Sequence, residues 1–505
     1  FAVACRAAPL SAPHRTTAGS NAIAEHKVSD FHFFWHDYET FGRTPRRDWP
    51  AQFAGVRTDA QLREVGEPVM LYCQPPRDRL PEPEACLLTG IVPQVCAERG
   101  LPEYAFAARI EQVLGEPGTV GCGYNTLRFD DEVTRFLFWR NLIDPYSREW
   151  RNGCGRWDLL DTMRCAWALR PDGLQWPLHD DGRVSFKLED LARANGLLHE
   201  SAHDALSDVR ATISLARTLR QQQPRLFDYC LSMRTKDAVW QQIGGVGTQG
   251  RPLLHVSGRF DTRRGCIALV WPLAVHPTNR NEVLVWDLAR DPAELEDLDA
   301  AAIRQRLFTR EDDLPDGTRR LPIKSIHVNR SPVVISQLRT LPDARAAHWG
   351  LDIAEGLRHA ARMPQVCEAV AARWPAVYRR PEGAAVPDVD EDLYGGFLGD
   401  EDRRLLERLR ALPEHDIGAR RPSFADSRLD ELWWRYRARN FPQTLSDGER
   451  ERWLAHCSDR LHHGADGACT LAVFQDRIDT LSETADERGQ AILEALLDWA
   501  QDIAP

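Results

Sequence analysis

The sequence has no run of 18 or more apolar residues, which excludes a hydrophobic helix spanning a bilayer. Its twelve cysteines form no Cys-x-x-Cys pair, and their spacings do not repeat, which argues against a structural zinc site. In a chain of 505 residues that pattern reads as reduced thiols and a cytoplasmic protein. No self-similarity with a fixed period of about 20–50 residues is present, so a solenoid or propeller array is excluded. A surplus of positive charge is also missing. Asp and Glu number 75 against 64 Lys and Arg, for a formal net charge of −11. That sign looks wrong for a partner of nucleic acid, but the excess is local. From Pro381 to the end acids outnumber bases by about twelve, and the rest is near neutral. Phosphate binding needs a basic groove, not a basic average. Net charge therefore excludes no nucleic-acid substrate. It argues only against phosphate coating the C-terminal part.

What is present divides the chain, whose length implies two or three domains. Residues 1–28 are Ala/Ser/Thr-rich, with Arg6 and Arg15 and few acids. They read as a disordered extension, and a transit peptide fits less well. Residues 29–221 mix strands with helices, which predicts an α/β layer fold. An aromatic-rich strand opens at Phe31, a short apolar strand covers Thr119–Tyr124, and helical spacing marks Tyr104–Leu114, Asp130–Asn141 and Ala205–Leu219. Residues 222–380 carry short strands at Pro252, Cys266, Glu282 and Ile323 separated by turn signals, which predicts a small barrel. The Pro/Gly/acid-rich stretch 381–390 reads as a linker. Residues 391–505 carry repeated amphipathic helical spacing.

Three clusters carry chemistry. Asp37 and Glu39 stand two apart on a strand, which places both carboxylates on one face. Like charges that close repel unless a cation lies between them, and all-oxygen ligation suits Mg²⁺ or Mn²⁺. Taken alone the pair is as readily an exposed strand edge, although Phe33, Phe34 and Trp35 lead it out of a core strand. In Gly123–Asp131 a buried strand ends and an acid opens a helix. Helix capping alone would explain Asp130 or Asp131, but not Asn125 and Phe129 at their spacing. In Ala202–Asp208, His203 precedes a helix and Asp208 lies in its first turns. By itself that is also a helix-start pattern.

Taken in order, Asp-x-Glu, Asn-x-x-x-Phe-Asp and His-x-x-x-x-Asp resemble the DEDD exonucleases of the His-bearing subclass. Asp37, Glu39, Asp130, His203 and Asp208 match the motif without a substitution. Longer runs, Phe34–Gly42, Tyr124–Arg135, Arg156–Asp161, Gln223–Tyr229, His255–Gly258 and Tyr436–Pro442, resemble the bacterial exodeoxyribonuclease I family over nearly everything from Phe31 on. The resemblance implies an RNase H-like α/β exonuclease domain with a mixed sheet flanked by helices. An SH3-like β-barrel and an all-helical C-terminal domain would follow, and the three would clasp one strand as a monomer. It also implies two Mg²⁺ ions, replaceable by Mn²⁺, held by Asp37, Glu39, Asp130 and Asp208, with His203 as general base. The activity implied is 3′→5′ degradation of single-stranded DNA to 5′-mononucleotides, in DNA repair and recombination. The partner implied is the acidic C-terminal tail of the single-stranded-DNA-binding protein. Leu88 and Thr89 resemble the segment that packs on the terminal nucleotide. Asn125 falls within the second motif, and Lys187 could meet a phosphate. Arg259, with Arg263 and Arg264, could track the backbone, although solvated lysine and arginine side chains explain these as well. Two other functions remain open to the same residues: a 3′→5′ exoribonuclease of this superfamily, and a non-catalytic single-strand-binding scaffold.

Overall fold

The structure, a computed structural model, describes residues 31–197, 204–379 and 387–505. The first sheet holds β1 (His32–Thr40), β2 (Pro50–Thr58), β3 (Val69–Tyr72), β4 (Thr119–Gly123) and β5 (Gly155–Asp158), in the order β3-β2-β1-β4-β5. β1 runs antiparallel to β2 and parallel to β4, and β5 is parallel to β4. The sheet is therefore mixed, as expected. Alternation along β1 sends its residues to two cores. Phe33 and Trp35 pack with Val209, Ile213 and Ala216 of the helix Ala205–Gln222. Phe34 and Tyr38 pack with Phe106 and Ile110 of Glu103–Leu114 and with Val133 and Leu137 of Asp130–Arg140. Both faces are covered, which is why the central strands read as apolar runs.

β2 escapes the sequence pattern for the same reason. It is buried along nearly its whole length and so lacks alternation, and it contains Ala51, Ala54 and Gly55. Gly55 lies opposite His36, and a Cβ there would stand 2.4 Å from the Phe34 ring. The small residue makes room for a large neighbour, at the cost of local strand propensity.

The second sheet comprises β6 (Leu253–Val256), β7 (Ile267–His276), β8 (Asn279–Asp287), β9 (Ile323–His327) and β10 (Val333–Ile335), all antiparallel in the order β10-β6-β7-β8-β9. On β8, Val283 and Val285 face one core, while Leu284 and Trp286 face another shared with Met363 and Val366 of the helix Ile353–Val370.

The C-terminal block is helical, with Asp400–Arg410, Arg428–Asn440, Asp447–His463, Leu471–Ser482 and Glu487–Ile503 as its main elements. Ser446 and Glu449 form a reciprocal capping box that starts the third of these. Trp433, Tyr436 and Phe441 are core, Arg435 and Arg437 between them are buried in ion pairs, and the side chain of the half-buried Arg439 is likewise covered and paired. Arg439 reaches Asp78 of the first domain at 2.8 Å and Asp390 at 2.7 Å. Arg435 meets Asp388 at 2.7 Å, and Arg437 meets Glu449 at 2.8 Å. This helix face is a domain junction, not a strand-binding surface. Of the stretch expected as a linker only 387–390 is described, and Asp390 there is fully buried within this network.

Candidate active site

β1 and β4 pair only as far as Trp35 and Cys122. At Gly123 a Cβ would stand 2.6 Å from the His36 carbonyl oxygen, so glycine lets β4 pass this close to β1 where the pairing ends. Asn125 then takes a left-handed backbone, with φ of 66°. Asp158, at the end of β5, holds this turn through the amides of Asn125 at 2.9 Å and Leu127 at 3.1 Å. The separation leaves the far end of β1 unpaired on one side. Asp130 fills the gap by accepting from the Tyr38 amide at 3.0 Å.

Asp37 and Glu39 lie on the face of β1 that carries Phe33 and Trp35, the face covered by Ala205–Gln222. The first turns of that helix bring Asp208 over the pair. Ligand oxygens of Asp37, Glu39 and Asp208 all lie within 4.8 Å of one another. Asp130 borders this triplet. Burial raises the Asp37 carboxyl well above the usual range, and the charges of Asp130, Glu39 and Asp208 push it further. Burial also raises Asp130 well above its ordinary value, with Asp131 and Asp158 adding to it. Glu39 is pushed up to about 7 by burial, then by Asp208 and Asp204. Three acids thus share one small volume, with the charge of Asp130 bearing on Asp37 from its border. An oxygen-only donor set of this charge fits hard divalent cations such as Mg²⁺ or Mn²⁺.

The neighbouring acid behaves oppositely. Asp131 is buried between Arg148 and Arg156, the latter at 2.9 Å, and these hold its carboxyl below the usual range despite burial. Neither Asp130 nor Asp131 caps its helix by a side-chain hydrogen bond. His203 lies outside the described residues. Asp204, next to it, opens the helix and adds to the field at Glu39.

Of the five positions expected to carry the reaction the structure describes four: it brings Asp37, Glu39 and Asp208 together and sets Asp130 beside them, where its charge bears on Asp37. The expected substrate contacts are scattered. Leu88 is 63% exposed at the end of the helix Pro83–Thr89, an unusual position for a leucine. The Thr89 hydroxyl donates to the Ala85 carbonyl at 3.0 Å and accepts from the Ile91 amide at 3.2 Å. Lys187 and Arg259 are exposed. Gly258, beside Arg259, lies against the Arg164 guanidinium of the first domain, so this barrel turn borders the exonuclease block. Phe129 packs partly buried against the Phe34 core. The role of Asp158 is not visible in the sequence. Its only signals there are its place just before a helix and the Arg156–Asp161 run that carries the family resemblance.

Comparison with known proteins agrees along the chain. The Exonuclease family model matches residues 34–216, the Exonuclease I SH3-like domain 234–380, and the Exonuclease I C-terminal domain 387–503. The Exodeoxyribonuclease I of Escherichia coli K12 is 43% identical over 480 residues, covering 93% of this chain and 98% of that protein. Exonuclease I from Methylocaldum szegediense superposes with a TM-score of 0.88 at 44% identity, over 94% of this chain and all of that one. E. coli Exonuclease I in complex with a dA16 oligonucleotide superposes equally well, with a TM-score of 0.88 at 42% identity and the same coverage.

Proposed function

Because the chain belongs to the bacterial exonuclease I family, we propose that it shortens single-stranded DNA from the 3′ end and releases 5′-mononucleotides. The exonuclease domain itself implies dependence on a divalent metal. The observation that carries the finer reading is the convergence of Asp37, Glu39, Asp208 and Asp130 at the open end of β1. Oligonucleotide complexes of E. coli Exonuclease I, one of them with zinc, support the substrate and the need for a cation.

Two Mg²⁺ ions, or Mn²⁺, would be held by these four carboxylates. When bound, such ions neutralise the phosphodiester's charge and make hydroxide available near neutral pH. The chain's own residues do the rest. Asp37 would be the central ligand, because the charges of the other three acids all bear on it. Asp130 is fixed by the Tyr38 amide, and Asp208 by its place on a helix packed against β1. His203 accepts the proton of the attacking water. The water oxygen bonds to phosphorus, the P–O bond to the penultimate 3′ oxygen breaks, and that oxygen leaves with a proton. One nucleotide departs carrying a 5′-phosphate.

A strand labelled at its 3′ end should lose label as mononucleotide from the first turnover, while a 5′ label stays on shortening strands. Early release of a 5′ label would refute the polarity. His203→Ala should slow turnover by about 10²-fold at neutral pH and remove the acidic limb of the pH–rate profile. An unchanged profile would take His203 out of that role.

We also propose that the protein acts in DNA repair and recombination in the cytoplasm and meets the acidic tail of the single-stranded-DNA-binding protein. A solved structure of SSB with Exonuclease I supports the partner. A cavity of about 420 Å³ lined by Arg170, Arg225, Leu226, Tyr229 and Ile335 combines cationic and apolar groups suited to such a tail. Fluorescence anisotropy of a labelled tail peptide tests this, and equal binding by Arg170→Ala would move the contact elsewhere.

A further inference from the structure

Asp130, Asp131 and Glu132 open one helix and turn to three different places. Asp130 faces the metal-binding carboxylates and the Tyr38 amide. Asp131 is clamped by Arg148 and Arg156. Glu132 is shared by all three domains. Its Oε1 meets Arg135 of the same helix at 2.7 Å and Arg330 of the barrel at 3.2 Å, and its Oε2 accepts from the hydroxyl of Tyr394 in the C-terminal block. Arg135 closes the group by donating to the Tyr394 hydroxyl at 3.2 Å.

The barrel side of this junction is one turn, between β9 and β10. The Asn329 carbonyl accepts from Arg156 at 3.0 Å, and the Ser331 hydroxyl donates to the Arg156 carbonyl at 3.1 Å. Ser331 adopts φ of 45°, a left-handed backbone that a serine seldom takes. Three consecutive barrel residues therefore grip the partners of Asp131 and Glu132. The first turn of the helix has no side-chain cap. These side chains therefore add to the core packing of the helix and to the Tyr38 amide in placing the turn that bears Asp130.

We infer that Glu132, with Arg330 and Tyr394, is a positioning latch: it transmits the placement of the barrel and helical domain to Asp130, so that a strand held by all three domains is cut faster. This rests on the single-strand exonuclease reading above. Glu132 touches no reacting atom in this account. It acts through the turn that bears Asp130. A displacement of about 1 Å at such a turn can cost on the order of 10²-fold in rate, so modest coupling is measurable.

The test compares kcat and KM for a trinucleotide and for a strand long enough to span all three domains, in the full-length wild type, Arg330→Ala and Tyr394→Phe. Neither replaced group contacts the carboxylate cluster, and both lie at least partly exposed. The wild type should show a kcat about tenfold higher on the long strand. Each variant should bring the long-strand kcat down toward the trinucleotide value, with KM changed by less than about twofold, and should bind Mn²⁺ more weakly. Equal kcat on both strands in the wild type would overturn the latch. So would a preserved ratio in both variants. A KM rise at constant kcat would make Arg330 a strand contact instead, which also overturns it. Failure of the wild type to cut any single-stranded DNA would refute the underlying reading, a different result from length-independent cutting.

Discussion

Asp37→Asn should lower kcat by about 10³-fold or more while the protein still binds single-stranded DNA. Asparagine keeps the size of the side chain and one oxygen but removes the charge that a divalent cation needs. The same change should have the opposite effect on the metal-free fold. Burial and three neighbouring acids raise the Asp37 carboxyl well above its ordinary range, and Glu39 is pushed up to about 7. With folded-state values raised, the native protein holds protons that the unfolded chain releases near pH 4. Without metal the native state is therefore penalised as pH rises above about 4, for Glu39 through about 7 and for Asp37 through its own raised value. The replacement amide cannot ionise. In chelator near pH 8 the variant should melt above the wild type, and near pH 4 the two should converge. With saturating Mg²⁺ the order should reverse, because cation binding stabilises the folded wild type. A variant that melts lower than wild type in chelator at pH 8 would mean that Asp37 is not held among like charges.

Asp78→Ala should destabilise the protein by about 3–5 kcal/mol, the usual cost of removing one partner from a buried ion pair. Asp78 is fully buried and faces Arg439 at 2.8 Å, Arg460 at 3.4 Å and His456 at 3.6 Å. The Arg439 guanidinium most of all, then the contact with His456 and the charge of Arg460, hold its carboxyl well below the usual range in spite of burial. The native state thus favours the ionised form. Its stabilisation is fully present above about pH 4 and is lost as pH falls below that. Removing Asp78 leaves Arg439 and Arg460, both of the C-terminal block, without the first-domain carboxylate that lies between them. Urea unfolding at neutral pH measures the loss, and a midpoint shift worth under about 1 kcal/mol would show that the network is already solvated.

What was readable in advance follows from range. Asp37 and Glu39 stood out because strand alternation is local, and β1 shows it in the bare sequence. Asp208 stood out because its helix is long and periodic. β2 did not, since two-sided burial erases alternation and Ala51, Ala54 and Gly55 weaken strand propensity. The roles of Asp131, Asp158 and Glu132 were out of reach because their partners come from other elements. Arg439 and Asp78 pair across 361 positions, and no window of sequence links them. That is also why the ion pairs of Arg435, Arg437 and Arg439 leave no local signal in the sequence.

The most direct test of the central claim offers one sequence as single-stranded DNA, duplex DNA and RNA, with Mg²⁺ and with chelator. Mg²⁺-dependent release of 5′-mononucleotides from the single-stranded DNA alone is the predicted result. Equal or faster cutting of RNA, or cutting that persists in chelator, would contradict it.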